Sequence, residues 1–334
     1  MSAAISIADF SNLRALSARM GADPLLVQAA GGNTSLKHGG VMWIKASGTW
    51  LCHALAKDIF VPVDHAKLME GLQQDDPACE TCAEFVRADL NNSGLRPSIE
   101  TTVHALMPQT VVLHVHCVNT IAWAIMQNAE RLLQDKLRAF QWAFIPYARP
   151  GMSLAREISA RLKPGTNVLI LGNHGLVVAA DSVRDAELLL EQVVSTLKRH
   201  TRPLVPADKT SLLQACAGTD FIPAEAAETH ALATDASALD RSRDCVLYPD
   251  HVVFLGVGVN TNIAAQASFA ALPGLGVVIG KSANPAVEPM LRCLADIMRR
   301  VDTQEEVTPL PSLEIDRLIN WEAEKYRQSV NVKP

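Results

Sequence analysis

Three histidines and one glutamate have residue types that could hold a metal ion. His114 and His116 end an apolar run of strand type, residues 111–116. Side chains alternate across a strand, so residues two apart share a face and both imidazoles point the same way. Two imidazoles converging from one face provide half of a first-row metal site. A His-x-His pair on its own is more often a pair of hydrogen-bonded core residues, so further ligands are needed.

Two other stretches supply such ligands. His174 lies in a tight turn between the apolar runs 167–171 and 175–178, and Glu100 lies in the first turn of a predicted helix, 98–107. Three histidines and a carboxylate form a catalytic type of metal set that leaves a position for substrate. The alternative for Glu100 is a first-turn acid that is favoured only by the helix dipole.

Five short motifs occur in one order along the chain: Gly31-Gly32-Asn33-Thr34-Ser35, Lys45-Ala46-Ser47-Gly48, Pro97-Ser98-Ile99-Glu100, His114-x-His116 and Asn173-His174-Gly175. This series, over roughly residues 8 to 200, resembles class II aldolases of the aldolase/adducin superfamily. The residues of these motifs are most similar to those in the aldolase part of bifunctional rhamnulose-phosphate aldolase/dehydrogenases. Several motifs in register are far more specific than any one of them.

The resemblance implies zinc or another divalent metal held by His114, His116 and His174. It implies that Glu100 is catalytic, as a metal ligand without substrate and an acid/base once substrate displaces it. It also implies a substrate or phosphate pocket, where glycines let backbone N–H groups approach an anion; its residues are Gly32, Asn33, Lys45, Ser47, Gly48 and Ser98. The implied reaction is retro-aldol cleavage of a ketose 1-phosphate or related sugar through a metal-bound enediolate.

Two departures from the family pattern bear on the substrate. Ile99 stands where some relatives have a second serine of the phosphate pocket. No tyrosine occurs between residues 117 and 142, where some phosphate aldolases place the group that protonates the aldehyde end. Tyr147 and Tyr326 are the remaining candidates for that role.

Other functions stay open on the same residues. The metal set would equally serve an epimerase, decarboxylase or dehydratase of a sugar or sugar-acid phosphate, because fold does not fix function. A non-catalytic, adducin-like interaction protein and a sugar-binding module are further alternatives. A dinucleotide site is not predicted, since Gly256-Val257-Gly258 is followed by Thr261 where a third glycine is needed.

Strand and helix patterns interleave, which predicts an α/β protein. Together with the resemblance, this predicts a three-layer α/β/α class II aldolase-like domain around a central mostly antiparallel sheet, residues 1–205, and a smaller C-terminal α/β appendage, residues 206–334. The patterns predict helices at 8–20, 65–73, 79–90, 98–107, 118–127, 131–142, 154–162, 183–199, 285–300 and 313–329. They predict strands at 41–45, 59–63, 111–116, 167–171, 175–178, 244–255 and 274–279, and a short extended piece at 145–147.

Composition limits the class of protein. The chain has 334 residues, 49% hydrophobic, with a net charge of −5. No run of Lys or Arg favours nucleic acid or a membrane surface, and no apolar run approaches the ~20 residues of a membrane span. The seven cysteines are scattered and no export signal is recognisable, so reduced thiols and a cytoplasmic location are expected. The expected partner is a small-molecule sugar or sugar phosphate, and the resemblance implies a homo-oligomer, with a tetramer favoured.

Overall fold

A central sheet of seven strands organises the first part of the chain. The computed structural model describes residues 7–264 and 267–330. The order across the sheet is β3-β2-β1-β4-β7-β6-β5, and all neighbours are antiparallel except β5 and β6. The strands are β1 (Asn33–His38), β2 (Val41–Lys45), β3 (Phe60–Asp64), β4 (Val111–Val115), β5 (Trp142–Ile145), β6 (Val168–Leu171) and β7 (Gly175–Ala180).

Helices cover both faces of this sheet. They are α1 (Ile7–Ala22), α2 (His65–Gln73), α3 (Thr101–Leu106), α4 (Val118–Ala124), α5 (Ala129–Gln134), α6 (Met152–Arg161) and α7 (Val183–Thr196). On one face α1 and α7 pack together, and on the other α2, α3 and α6 form the opposite layer. The predicted three-layer α/β fold with a mostly antiparallel sheet is therefore confirmed.

Strand β4 shows how the apolar pattern sets the layers. Val111, Leu113 and Val115 pack with the α1/α7 layer, whereas Val112 packs with the α3/α6 layer. His114 shares the parity of Val112, so it faces the layer that contains α3. All five residues of β4 are buried, so hydrophobic burial on both faces fixes the register of the strand that carries the first histidine.

Two of the local predictions in this part are wrong. The predicted helix 79–90 is two short 3-10 turns, Pro77–Glu80 and Ala83–Phe85, separated by Cys82 in the left-handed region at φ 55°. The predicted helix 131–142 ends at Gln134.

A second, three-stranded sheet follows, with order β8-β10-β9 and antiparallel pairing throughout. Its strands are β8 (Phe221–Pro223), β9 (Phe269–Leu272) and β10 (Gly276–Gly280). The helices of this part are α8 (Lys209–Cys216), α9 (Ala231–Thr234), α10 (Ala236–Arg243), α11 (Pro249–Leu255), α12 (Val287–Met298), α13 (Ser312–Asn320) and α14 (Glu322–Val330). We refer to residues 206–330 as the appendage; the boundary at 205/206 stays a prediction.

Two predictions in the appendage are wrong. Residues 244–255 do not form a strand, because Pro249 starts a helix in which every residue from 249 to 255 is buried. A helix that is buried on all sides shows no amphipathic periodicity, so its sequence cannot be distinguished from that of a buried strand. The predicted single helix 313–329 is two helices, α13 and α14, with extended backbone at Trp321 between them.

The two parts share one hydrophobic core. Helix α4 packs against α12, and Val118, Ile121 and Ala122 belong to the same buried cluster as Met290 and Leu294. The appendage is therefore joined to the seven-stranded sheet through buried apolar surface. Within the described residues, the structure contains no helix with the length and apolar character that crossing a membrane requires.

Candidate metal centre

The strand register brings the predicted ligands together. His114 on β4 lies opposite Asn33 on β1, and Val115 lies opposite Leu176 on β7. The turn between β6 and β7, which carries His174, is thereby placed beside the end of β4. Helix α3 covers the same face of the sheet, and Glu100 immediately precedes its first residue.

A glycine lets the His174 turn approach β4 closely. A Cβ atom at Gly175 would lie 2.5 Å from the Val115 carbonyl oxygen, so only glycine fits there without a shift. Asn173 has φ 53°, a left-handed conformation that asparagine tolerates better than most residues. The Asn173-His174-Gly175 motif is therefore explained by backbone geometry that places the imidazole of His174.

The four side chains form one buried cluster. Their ligand atoms, one each from Glu100, His114, His116 and His174, all lie within 4.8 Å of one another. The two Glu100 oxygens are each 3.3 Å from an imidazole Nε2, Oε2 from His114 and Oε1 from His174. Nε2 of His116 lies 3.2 Å from Nε2 of His114. No residue in the cluster is more than 5% exposed.

Hydrogen bonds on the outer nitrogens direct the inner ones. The backbone carbonyl of Leu176 accepts from Nδ1 of His114 at 3.0 Å, and a carboxylate oxygen of Asp250 accepts from Nδ1 of His116 at 2.9 Å. Both Nε2 atoms therefore present lone pairs to the cluster when the rings are neutral. Burial lowers the pKa of His114 to about 4 and that of His174 to about 3, which keeps both rings neutral near pH 7.

These observations fit a divalent metal. Two lone pairs facing each other at 3.2 Å repel unless a cation or proton lies between them. Oε1 of Glu100 is buried without a hydrogen-bond partner in the described part of the chain, as expected of an oxygen that ligates an ion. Neutral imidazoles and an ionised carboxylate are also the protonation states that metal binding requires.

Glu100 is oriented by a network that sequence reasoning missed. The Asn33 amide donates to Oε2 of Glu100 at 2.8 Å and to Ser98 Oγ at 3.2 Å. Nε2 of His104 donates to the Asn33 side-chain oxygen, and Nδ1 of His104 accepts from the Ser35 hydroxyl at 2.7 Å. His104 had no predicted role, yet it fixes which way the Asn33 amide points.

The electrostatics of Glu100 combine opposing effects. Burial raises the pKa of this carboxyl, and attraction to the imidazoles of His114, His174 and His116 in their protonated forms, with the hydrogen bond from the Asn33 amide, more than reverses that rise. The result is a pKa well below the usual range, so Glu100 is an anion in this arrangement. An anion at this position is what a metal ligand must be.

A small cavity of about 20 Å³ adjoins the cluster. Glu100, His116 and His174 line it together with all six residues predicted to bind substrate or phosphate: Gly32, Asn33, Lys45, Ser47, Gly48 and Ser98. The structure thus brings the predicted pocket and the candidate metal ligands to one place. Ser47 Oγ is buried and has no hydrogen-bond partner in the described residues, so it has a hydroxyl to offer a ligand.

Lys45 already has two hydrogen-bond partners within the protein. Its ammonium donates to the Ala30 and Gly32 carbonyl oxygens at 2.8 and 2.9 Å, which ties β2 to the glycine turn. Burial lowers the pKa of Lys45 to about 7. Its predicted contact with an anion would therefore compete with two existing hydrogen bonds.

Four residues of the appendage also line the cavity, and sequence reasoning missed all of them: Pro249, Asp250, Glu324 and Arg327. The appendage holds the His174 turn as well, because the Asn173 amide donates to the carbonyls of Leu247 and Thr308 at 3.0 and 2.7 Å. Neither tyrosine considered for the aldehyde end lines this cavity. Tyr147 lines a separate surface cavity beside Arg149, and the Tyr326 ring stacks under Arg96 at 4.3 Å.

The fold and the buried histidine–glutamate cluster define a class of protein, and comparison with known families agrees with it. Residues 12–201 match the model of the class II aldolase and adducin N-terminal domain. The chain belongs to this family.

Individual relatives are more distant. A protein of Bacillus subtilis (strain 168), described as an uncharacterized oxidoreductase, YuxG, is 25% identical over an alignment of 191 residues that covers 54% of this chain and 27% of the relative. The match thus spans about a quarter of that relative's length. Among solved structures, the N-terminal class II aldolase domain of a conserved protein from Thermoplasma acidophilum has a TM-score of 0.50 and 25% identity, covering 59% of this chain and 95% of that one. An l-fuculose-1-phosphate aldolase from Thermus thermophilus has a TM-score of 0.37 and 14% identity, covering 58% and 93%.

Proposed function

We propose that this protein is a metal-dependent class II aldolase that cleaves a ketose 1-phosphate or a related sugar by a retro-aldol reaction. The observation that carries the proposal is the convergence of Glu100 with three buried imidazole Nε2 atoms beside a cavity lined by glycines and hydroxyls. A purely structural protein would have no reason to bury an anion together with three imidazoles whose ligand atoms converge on it.

His114, His116 and His174 would hold the ion, and zinc is favoured because imidazole-rich sets of this kind suit it. When bound, such an ion supplies Lewis-acid stabilisation to a substrate carbonyl or hydroxyl oxygen. Glu100 serves as the acid/base. Breaking the carbon–carbon bond requires a base to take the proton of the β-hydroxyl and an acid to return a proton to the α-carbon. Asn33 and Ser98 keep Glu100 in place for proton transfer.

The anion end of the substrate is assigned to the glycines and hydroxyls of the cavity. Gly32 and Gly48 have φ 61° and 75°, and neither carries a side chain that would cover its amide. Ser47 and Ser98 add hydroxyl donors. Lys45 contributes charge without leaving the carbonyls that it holds.

Substrate entry requires movement of the cavity wall. The cavity of about 20 Å³ holds a water molecule or an ion, whereas pockets for small molecules occupy roughly 300–1,000 Å³. Helix α14 forms part of the wall: Glu324 and Arg327 line the cavity, and Tyr326 and Val330 line an open groove of about 750 Å³. Gly48 borders both spaces. We infer that α14 moves to let a sugar pass from the groove to the metal centre.

The proposal extends to assembly and location. A homo-oligomer, with a tetramer favoured, and a cytoplasmic location remain expectations, and light scattering of the purified protein tests the first.

The test of the function combines metal content with turnover. His114→Ala is expected to lose both the bound ion and retro-aldol activity. Glu100→Gln is expected to keep most of the ion and lose about 10²–10⁴-fold in turnover, the usual contribution of a positioned acid/base. His200→Ala, at an exposed histidine, is the matched control and should retain both.

Different results would redirect or end the proposal. Full metal content in His114→Ala would remove His114 from the ligand set, and wild-type turnover in Glu100→Gln would remove Glu100 from the mechanism. A substrate screen covering ketose phosphates, unphosphorylated sugars and sugar acids fixes the reaction by its products. Epimerised, decarboxylated or dehydrated product without cleavage would replace the aldolase assignment.

A further inference from the structure

A carboxylate from the appendage touches one of the candidate metal ligands. Asp250 lies in the first turn of α11, directly after Pro249, and is 3% exposed. Its Oδ2 is 2.9 Å from Nδ1 of His116. A carboxylate can only accept, so the ring proton of neutral His116 lies on Nδ1 and its Nε2 lone pair faces the other ligands.

A second appendage residue holds Asp250 in turn. Arg327 on α14 binds both of its oxygens, Nη1 to Oδ1 at 2.6 Å and Nη2 to Oδ2 at 2.9 Å. Nη1 also lies 3.3 Å from Glu324 Oε2. A bidentate guanidinium–carboxylate pair fixes the plane of the carboxylate as well as its position. The pair is buried, with Arg327 only 7% exposed, so water competes little for it.

The three candidate histidines are supported differently. His114 donates from Nδ1 to a carbonyl within the seven-stranded sheet, that of Leu176. Nδ1 of His174 is buried without a hydrogen-bond partner in the described ranges. Among the residues that the structure describes, only His116 of the three has an ionised partner on its outer nitrogen, and this partner comes from outside the region matched by the family model.

We propose that Asp250 and Arg327 are positioning residues of the metal centre: Asp250 orients His116 for ligation, and Arg327 orients Asp250. The appendage thereby completes a site whose ligands all lie in the first part of the chain. The inference rests on the proposed function in one respect, that the cluster holds a divalent metal. A carboxylate on the outer nitrogen of a ligating histidine fixes its tautomer and increases its basicity.

The experiment measures metal affinity in the full-length protein. The metal-free protein is titrated with Zn²⁺ in competition with a chromophoric chelator, and the Co²⁺-loaded protein is examined by visible absorption, which reports ligand geometry. We expect Asp250→Asn to lose about 10-fold in Zn²⁺ affinity and Asp250→Ala up to about 100-fold, the range found for partners of metal ligands. Asparagine should lose less because its amide oxygen still accepts from His116.

Asp296→Asn is the matched control. Asp296 is an equally buried appendage aspartate, 3% exposed and paired with Arg299 and Arg300 at 3.4 and 3.0 Å. Its loss should lower thermal stability and leave Zn²⁺ affinity and the Co²⁺ spectrum unchanged. A general loosening of the appendage would instead change all three variants alike, and that result would overturn the proposal.

Arg327→Lys tests the second residue and replaces Asp250→Ala if that variant does not fold. Lysine keeps the positive charge but cannot make the bidentate pair with Asp250, so we expect a several-fold loss of Zn²⁺ affinity. If folded Asp250→Asn and Arg327→Lys bind Zn²⁺ like the wild type, the inference is wrong while the metal site stands. If the wild type itself binds no metal, the proposed function fails first.

Discussion

Gly31 is the position where a single methyl group should disturb the metal centre most directly. A Cβ atom there would lie 2.7 Å from Nδ1 of His116, 2.9 Å from the Gln28 carbonyl oxygen and 3.1 Å from Oδ2 of Asp250. The φ of Gly31 is outside the left-handed region, so alanine meets no backbone penalty and its whole cost is steric. We therefore predict that Gly31→Ala acts by pushing His116 and Asp250 apart.

The magnitude follows from these distances. Carbon contacts are comfortable at about 3.5 Å or more, so the three neighbours must retreat by roughly 0.4–0.8 Å. Overpacking of this kind costs about 1–3 kcal/mol of folding free energy. The methyl group also intrudes on the 2.9 Å hydrogen bond that orients His116, so we expect Zn²⁺ affinity to fall about 10-fold or more.

Urea unfolding with chelator present measures the loss of folding free energy, and competition titration of Zn²⁺ measures the loss of affinity. Gly280→Ala is the control, because its added Cβ would have no neighbour closer than 3.4 Å, and its φ is also outside the left-handed region. The control should stay within about 0.5 kcal/mol of the wild type in unfolding free energy. Gly31→Ala with wild-type stability and wild-type Zn²⁺ affinity would refute the packing argument at this site.

Two further predictions concern pH and the cavity wall. Burial lowers the pKa of His251 to about 4, whereas its value in the unfolded chain is near 6.5. Between pH 6.5 and pH 4 the unfolded chain therefore binds a proton that the folded protein does not bind, so the free energy of unfolding falls as the pH drops through this range. His251→Leu should remove up to about 1.4 kcal/mol per pH unit of this dependence in urea unfolding with chelator; identical pH slopes in the two proteins would contradict it. Tyr326→Ala removes the ring under Arg96 at 4.3 Å, worth about 0.5–1 kcal/mol, and should speed hydrogen exchange of the α14 amides about two- to five-fold without changing metal content. Unchanged exchange would show that this stack does not hold α14 against the cavity.

The sequence was most informative where local pattern and burial agree. The apolar run ending in His114-x-His116 predicts a strand with both imidazoles on one face, and β4 forms with the same boundaries to within one residue. Helix α2 was predicted with its observed ends, because Asp64 caps it by accepting from the Lys67 amide. In these segments the local sequence pattern was sufficient to predict the element and its ends.

Prediction failed where distant contacts override local preference. The segment around Asp250 is as apolar as a buried strand, yet it forms α11, because Pro249 starts a helix that is buried on every side. The contribution of the appendage to the cavity could not be predicted for a related reason. Arg327 and Asp250 lie 77 positions apart, and no short motif connects them with His116. A charged residue inside an apolar run, as Asp250 is, was the one available signal.

The His104 network illustrates a different limit. His104 and Asn33 are 71 positions apart, and only the pairing of β1 with β4 brings the helix that carries His104 over Asn33. The sequence identified the catalytic candidate Glu100 and the amide of Asn33 separately. Their shared hydrogen-bond network became visible only in the three-dimensional arrangement.

The central claim is that His114, His116 and His174 hold a divalent metal beside Glu100 and that the reaction uses this metal. Elemental analysis of untagged protein purified without chelator, with a retro-aldol assay on the same sample before and after chelation, tests it most directly. We predict about one zinc or similar divalent ion per chain, and cleavage activity that is lost with the ion and restored by adding it back. A protein that contains no ion even after reconstitution, or that retains its activity when the ion is removed, would contradict the claim.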